Sequence, residues 1–217
     1  MTERLSRGRY PGYDVRSKRD TLSWNDKTRE VIDARLAVSS RPRFFSADEW
    51  RTLAALCDRV MPQPEGRARV PLEAYVDRNL SAGKTKGYRL ANMPQPSEAW
   101  RRGLAALDEV ALRERGRAFA HLTQRDQDMI LRQLAQGCFE AAALQGMPAE
   151  AFWTSHVIHD VLGAYYAHPE AWNEMGWAGP ASPRGYVRLG LNRRDAWEPE
   201  EAAPEEPHAV GENERVS

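Results

Sequence analysis

Phe44-Phe45-Ser46-Ala47-Asp48-Glu49-Trp50 opens the stretch from which the fold is read. A serine followed three residues later by a glutamate is a capping box: the hydroxyl accepts from the N3 amide while the carboxylate reaches back to the N-cap amide. Phe45 and Trp50 stand at the positions of a hydrophobic staple across that turn. Trp50, Leu53, Ala54, Leu56, Cys57 and Val60 then recur at helical spacing until Pro62 and Pro64 end the run. The stretch specifies an amphipathic helix with one face buried.

Working outward, the same grammar repeats. Asn25 is placed to cap a weak helix through about Ala37, before Arg41-Pro42 interrupts. Pro71 suits the first turn of a short helix through Leu72, Tyr75, Val76 and Leu80 to Gly83. Residues 84–96 read as a loop, and Ser97 as the cap of a long helix carrying Trp100, Leu104, Leu107 and Val110, ended by Gly116. Thr123 caps the next, with Met129, Ile130, Leu134 and Phe139 on its buried side. A last long helix, about Pro148 to Ala167, is apolar around much of its girth and belongs at the centre of the core. No stretch alternates as a strand does. The expected fold is all-α: a compact bundle of five or six helices over residues 44–195. It carries an extended basic N-terminal arm (1–43), an irregular aromatic Gly/Pro-rich C-terminal segment and a disordered acidic tail (196–217).

With 217 residues the chain suits one domain with long extensions or two small ones, and can bury a sizeable core without staples. The 31 Lys and Arg balance 31 Asp and Glu, and mean hydropathy is −0.68. The balance is uneven, with a net +5 over residues 1–45 and −7 over residues 195–217. No uncharged stretch approaches the roughly 20 apolar residues of a membrane span, so no membrane insertion is expected. Cys57 and Cys138 show no CxxC spacing and read as buried free thiols of a reducing compartment. The N-terminal stretch has no apolar core of a signal peptide, so the expected location is cytoplasmic. Its arginines are interleaved with Asp14, Asp20, Asp26, Glu30 and Asp33, and no nucleic-acid motif accompanies them, so a nucleic-acid partner is the weaker reading.

Catalytic signals are sparse. Phosphate-binding glycine loops, a GxSxG elbow and HExxH are absent from the sequence. His156, His159 and Asp160 share a helix face, and with His168 they offer a metal-dependent enzyme as an alternative function. Their spacing matches no recognised ligand set, and histidines bonded to backbone or to Asp160 are the simpler reading. Catalytic, cofactor-binding and metal residues are therefore all expected to be none in this chain. Residues 165–197 hold six of the fourteen Trp and Tyr side chains among turn residues and arginines. Such residues anchor interfaces because they bury much area and keep a polar handle. Tyr166, Trp172, Asn173, Trp177, Tyr186, Arg188 and Trp197 are the candidate partner interface; the competing reading is a lid packed on the chain's own helices.

The run from Phe44 to Pro62 resembles the opening of the gluconate 2-dehydrogenase small subunit (subunit 3) family. Tyr75-Val76-Asp77 with Leu80, Arg102-Gly103-Leu104 with Leu107-Asp108, and Phe119 with Leu122 and Gln127 follow in the family's order. Tyr166-Ala167-His168-Pro169 and Gly176-Trp177-Ala178-Gly179-Pro180 complete the similarity, over about residues 44–180. The resemblance implies a small helical accessory subunit, without catalytic groups, that supports folding and stability of a large FAD-dependent oxidoreductase of the glucose-methanol-choline type. That partner would hold the FAD and act on sugars, sugar acids or related alcohols. In membrane-bound members a cytochrome c subunit completes the complex. This chain departs from the family in lacking a twin-arginine start, which favours a cytoplasmic pair over a cytochrome-linked complex. Ala171-Trp172-Asn173 also replaces the family's glycine-glycine-asparagine run.

Overall fold

The computed structural model describes residues 9–66, 68–84, 87, 90–186, 190–191, 193–202 and 208–216. The α-helices are α1 (Asp26–Leu36), α2 (Ala47–Val60), α3 (Leu72–Ser81), α4 (Pro96–Arg115), α5 (Gln124–Ala135), α6 (Ala149–Phe152), α7 (His159–Tyr166), α8 (Pro169–Met175) and α9 (Ala209–Arg215). Among the described residues there is no strand, and an isolated parallel bridge pairs Trp24 with Ser182. The all-α expectation holds. The chain divides into two units, Val38–Tyr165 and Met1–Ala37 with Tyr166–Ser217.

In the Val38–Tyr165 unit, the capping box forms as the sequence predicts. Ser46 Oγ accepts from the Glu49 amide at 3.2 Å and Glu49 Oε2 accepts from the Ser46 amide at 2.8 Å. Thr123 caps α5, and Gly116 closes α4 in the left-handed conformation at φ +68°. Around α2 and α4, the side chains of Leu53, Leu56, Trp100, Leu104, Leu107, Phe119, Ile130 and Phe152 are fully buried. At roughly 1.5–3 kcal/mol for each large apolar side chain removed from water, this cluster supplies the main drive for folding the unit. Gly103 lets α4 close on the Phe152 ring: a Cβ there would lie 2.1 Å from the ring edge.

Asp77, buried on α3, draws the chain into α2. Its carboxylate accepts the amides of Arg43, Phe44 and Phe45 at 2.8–3.0 Å, satisfying three donors that precede the helix. The helix expected over 148–167 is present but not uniform. A π-turn at Trp153–Ile158 joins α6 to α7. Such turns shift the register of the downstream face and are frequent at functional positions. Gln95, not Ser97, is the N-cap of α4, with Pro96 in its first turn. Both cysteines are free, Cys57 buried and Cys138 exposed on the connection after α5, so only one of the expected buried thiols is buried.

The other unit differs most from the sequence reading. Residues 9–37, read as part of an extended arm, contain a 3₁₀-helix at Val15–Asp20 and α1, capped by Asn25 as expected. The segment read as irregular contains α8, and the tail read as disordered contains α9. Tyr13, Val15, Trp24, Ile32 and Trp172 form this unit's own apolar core, against which Tyr10 and Val216 pack. The reason is tertiary: each segment alone has too few apolar residues to fold, and the core exists only when both chain ends contribute to it.

Candidate functional site

The aromatic segment belongs to this second unit and is built outward from α8. His168 caps the helix, its Nδ1 accepting the Glu170 amide at 3.2 Å. Burial first, then the Arg16 and Arg35 charges, push its pKa down to about 4, so the cap is a neutral imidazole. Gly176 ends the helix at φ +69°, with the Tyr10 ring lying where a Cβ would project. Trp172 points inward and is 1% exposed; its indole N–H donates to Tyr166 O at 2.8 Å. The Trp177 ring meets it edge-on, centroids 4.7 Å apart.

The N-terminal segment is stitched to this framework. Asn173 Oδ1 accepts the Val15 amide at 2.7 Å and its Nδ2 donates to Asp14 at 3.2 Å. Tyr13 donates from its hydroxyl to Trp177 O at 3.3 Å. Lys18, fully buried, donates from Nζ to the Tyr13 hydroxyl at 3.0 Å, to Ala178 O at 3.2 Å and to Trp197 O. Burial is the main force lowering the Lys18 pKa to about 8; Arg184 adds to it, while Asp195 and Glu198 oppose it. Arg184 pairs with the buried Asp195 at 3.1 Å, and its guanidinium lies 4.9 Å from the Trp197 ring centroid and 5.8 Å from that of Tyr186. Tyr186 donates its hydroxyl to Gly179 O.

The candidate residues therefore separate. Tyr166, Trp177 and Tyr186 are 47%, 41% and 42% exposed. Asn173 and Trp197 are half-buried and engaged within the unit. Trp172 is core, so its ring is spent inside its own unit. Arg188 lies outside the described residues. Sequence reasoning missed Lys18, Tyr13 and Asp195. A lysine among scattered arginines looks solvated, and the signal that could have moved it inward was faint: Tyr13, Val15 and Trp24 in a stretch otherwise polar.

The other candidates resolve into local pairings. The π-turn carries His156 inward to 6% exposure, with its Nδ1 3.8 Å from Asp160 Oδ2 and without a hydrogen bond. His159 Nδ1 lies 3.5 Å from the other Asp160 oxygen, and Oδ2 accepts the Trp100 indole N–H at 2.9 Å. Among the described residues, no three of the His, Cys, Asp and Glu side chains are grouped to hold a metal ion. Five of the described cations of the basic arm are in ion pairs: Arg9 with Glu201, Arg16 with Asp14 and Glu170, Arg19 with Asp33, Lys27 with Glu30, Arg29 with Asp26. Among the described residues, no helix is long and apolar enough to cross a membrane.

Compared with known proteins, residues 47–179 match the model of a family described as gluconate 2-dehydrogenase subunit 3. No curated protein and no solved structure matches the chain. The match takes in α2 to α8 and leaves outside it the N-terminal segment with α1, and the segment with Tyr186, Trp197 and α9.

Proposed function

Because the chain belongs to the gluconate 2-dehydrogenase subunit 3 family, we propose that it is a non-catalytic accessory subunit that binds and stabilises a large FAD-dependent dehydrogenase of the glucose-methanol-choline type. The partner would act on sugars, sugar acids or related alcohols and hold the FAD; this chain would contribute no reacting group. The proposed complex is a cytoplasmic pair without a cytochrome c subunit.

The observation that carries the docking reading is the distribution of exposed apolar side chains. Of the eleven large ones exposed among the described residues, nine lie in the unit formed by the chain ends: Leu22, Val31, Leu36, Tyr166, Met175, Trp177, Tyr186, Leu191 and Val210. Exposed apolar side chains concentrated in this way favour a surface that a partner covers. Trp177 and Tyr166 are the anchors we assign, because each is large, amphipathic and held by neighbours within the unit.

The test is a tagged pull-down from the source cells, with the flavin absorption spectrum of the eluate. A yellow eluate containing a second chain of flavoprotein size, lost in Tyr166→Ala/Trp177→Ser with its helix content intact, supports the reading. A colourless solitary chain, or undiminished capture by the double variant, overturns it. Trp172→Ala is no test of docking, because it empties the core of the unit.

A further inference from the structure

The buried Lys18 amine sits where three segments meet: its own 3₁₀-helix, the 176–186 loop through Ala178 O, and the 193–202 segment through Trp197 O. Its third partner, the Tyr13 hydroxyl, also donates to Trp177 O. We propose that Lys18 and Tyr13 form a proton-sensitive brace that sets how Trp177, one of the docking rings, is held.

The reasoning is a count of donors and acceptors. An ammonium has three N–H donors and no lone pair. It satisfies the Tyr13 oxygen, Ala178 O and Trp197 O together, which leaves the Tyr13 proton free for Trp177 O. A neutral amine keeps two N–H donors for the two carbonyls and turns a lone pair to Tyr13. The single Tyr13 proton must then serve either that lone pair or Trp177 O. Loss of the Lys18 proton to solvent thus draws the hydroxyl away from the Trp177 backbone, with no covalent change. Burial, with lesser contributions from Tyr186, Asp14 and Glu198, raises the Tyr13 pKa, so its proton remains to be rerouted throughout the range in which Lys18 titrates. The groups facing the amine are Tyr13 on its own segment, Arg184 from the 176–186 loop, and Asp195 and Glu198 from the 193–202 segment. Arg184 is held by Asp195, and the Glu198 carboxylate accepts the Asp195 amide, so both acids are engaged. Two of the three segments that build the brace, residues 13–18 and 193–198, lie outside the family match, while Trp177 and Ala178 lie within it.

The sign of the pH effect follows from the direction of the lysine shift. Its pKa is lowered in the folded unit from an ordinary 10.5 to about 8. Between those values the open state binds the proton and the closed state does not, so closure tightens as pH rises. The opening constant of the unit should fall on the order of tenfold from pH 7 to 9.5.

The proposal rests on the docking reading only in treating Trp177 as a docking ring, and the brace is measured on the isolated full chain. With 5-fluorotryptophan throughout, the ¹⁹F resonance of Trp177, assigned with Trp177→Phe, should shift with a midpoint near pH 8. The shift should vanish in Tyr13→Phe and in Lys18→Gln, whose amide has the donor and acceptor set of a neutral amine. Hydrogen exchange of residues 176–186, corrected for intrinsic rates, should slow by the stated factor in the wild type and not in Lys18→Gln. A Trp177 resonance that is flat from pH 7 to 9.5, or a titration that survives in Lys18→Gln, overturns the brace. If Lys18→Gln fails to fold, the Lys18 Cε resonance of the wild type decides: a midpoint near 10.5 overturns the proposal and one near 8 sustains it. Failure of the pull-down with an intact titration would overturn docking and leave the brace standing.

Discussion

Asp77→Ala is the substitution whose cost can be worked most directly from the structure. The wild-type carboxylate holds three backbone amides, those of Arg43, Phe44 and Phe45, and the side chain is 2% exposed. Hydrogen bonds to a charged acceptor contribute about 1.5 kcal/mol each at the lower end of the measured range, hence about 4–5 kcal/mol for the three. Removing the carboxylate returns its own desolvation cost, and the less buried amides recover some water, which brings the expected loss to about 3 kcal/mol. Asp77→Asn should cost less, about 1–2 kcal/mol. Its oxygen can keep the Phe44 and Phe45 amides that share Oδ1, while its Nδ2 faces the Arg43 amide, donor against donor. Urea unfolding followed by circular dichroism reads both variants, and the corresponding fall in Tm is on the order of 10 °C for Asp77→Ala. A loss under about 1 kcal/mol for the alanine variant, or an asparagine variant as damaging as alanine, would refute the argument. The first would mean the amides find water; the second, that the charge rather than the geometry matters.

Three further expectations follow from the same reasoning. Gly103→Ala forces a methyl against the Phe152 ring and should destabilise by about 1–3 kcal/mol. Combination with Phe152→Leu should cost less than the sum of the two singles, and strict additivity would show that the ring moves aside freely. Below its ordinary pKa of 6.5, protonation of His168 opposes folding of its unit, because the folded imidazole resists it until about pH 4. Stability of that unit should fall by up to about 3 kcal/mol as pH drops through this window. His168→Asn keeps an N-cap acceptor and should flatten the fall; an unchanged acid limb would assign it elsewhere. Glu109 accepts the Ala142 and Ala143 amides, which lower its pKa. Its contribution is present above the ordinary carboxylate value and lost as pH falls below it, so Glu109→Gln should be less acid-sensitive than wild type in the same urea assay.

Local sequence determined the elements whose signals are local. Ser46 with Glu49, Asn25, Thr123 and Gly116 each act within a few residues of themselves, and each does in the structure what its position predicts. The family, too, was legible, because its residues recur in a fixed order along α2 to α8. The roles of Asp77 and Gly103, quoted within that resemblance, were not. One receives amides from more than thirty residues earlier, and the other faces a ring forty-nine residues later.

The candidate site shows the same division more sharply. That residues 165–197 would be rich in anchoring rings is a matter of composition. Which ring is core and which is surface was decided by what packs on them: Val15 and Asn173 draw Trp172 inward, while Tyr166, Trp177 and Tyr186 keep an open side. Arm and tail read as unfolded because neither carries enough apolar surface to offset its chain entropy. Tyr13, Val15 and Trp24 from one end reach Trp172 from the other only after the chain has closed a loop of about 150 residues. Burial of Lys18 is a property of that closure, and no window of sequence around it contains the carbonyls that receive its amine.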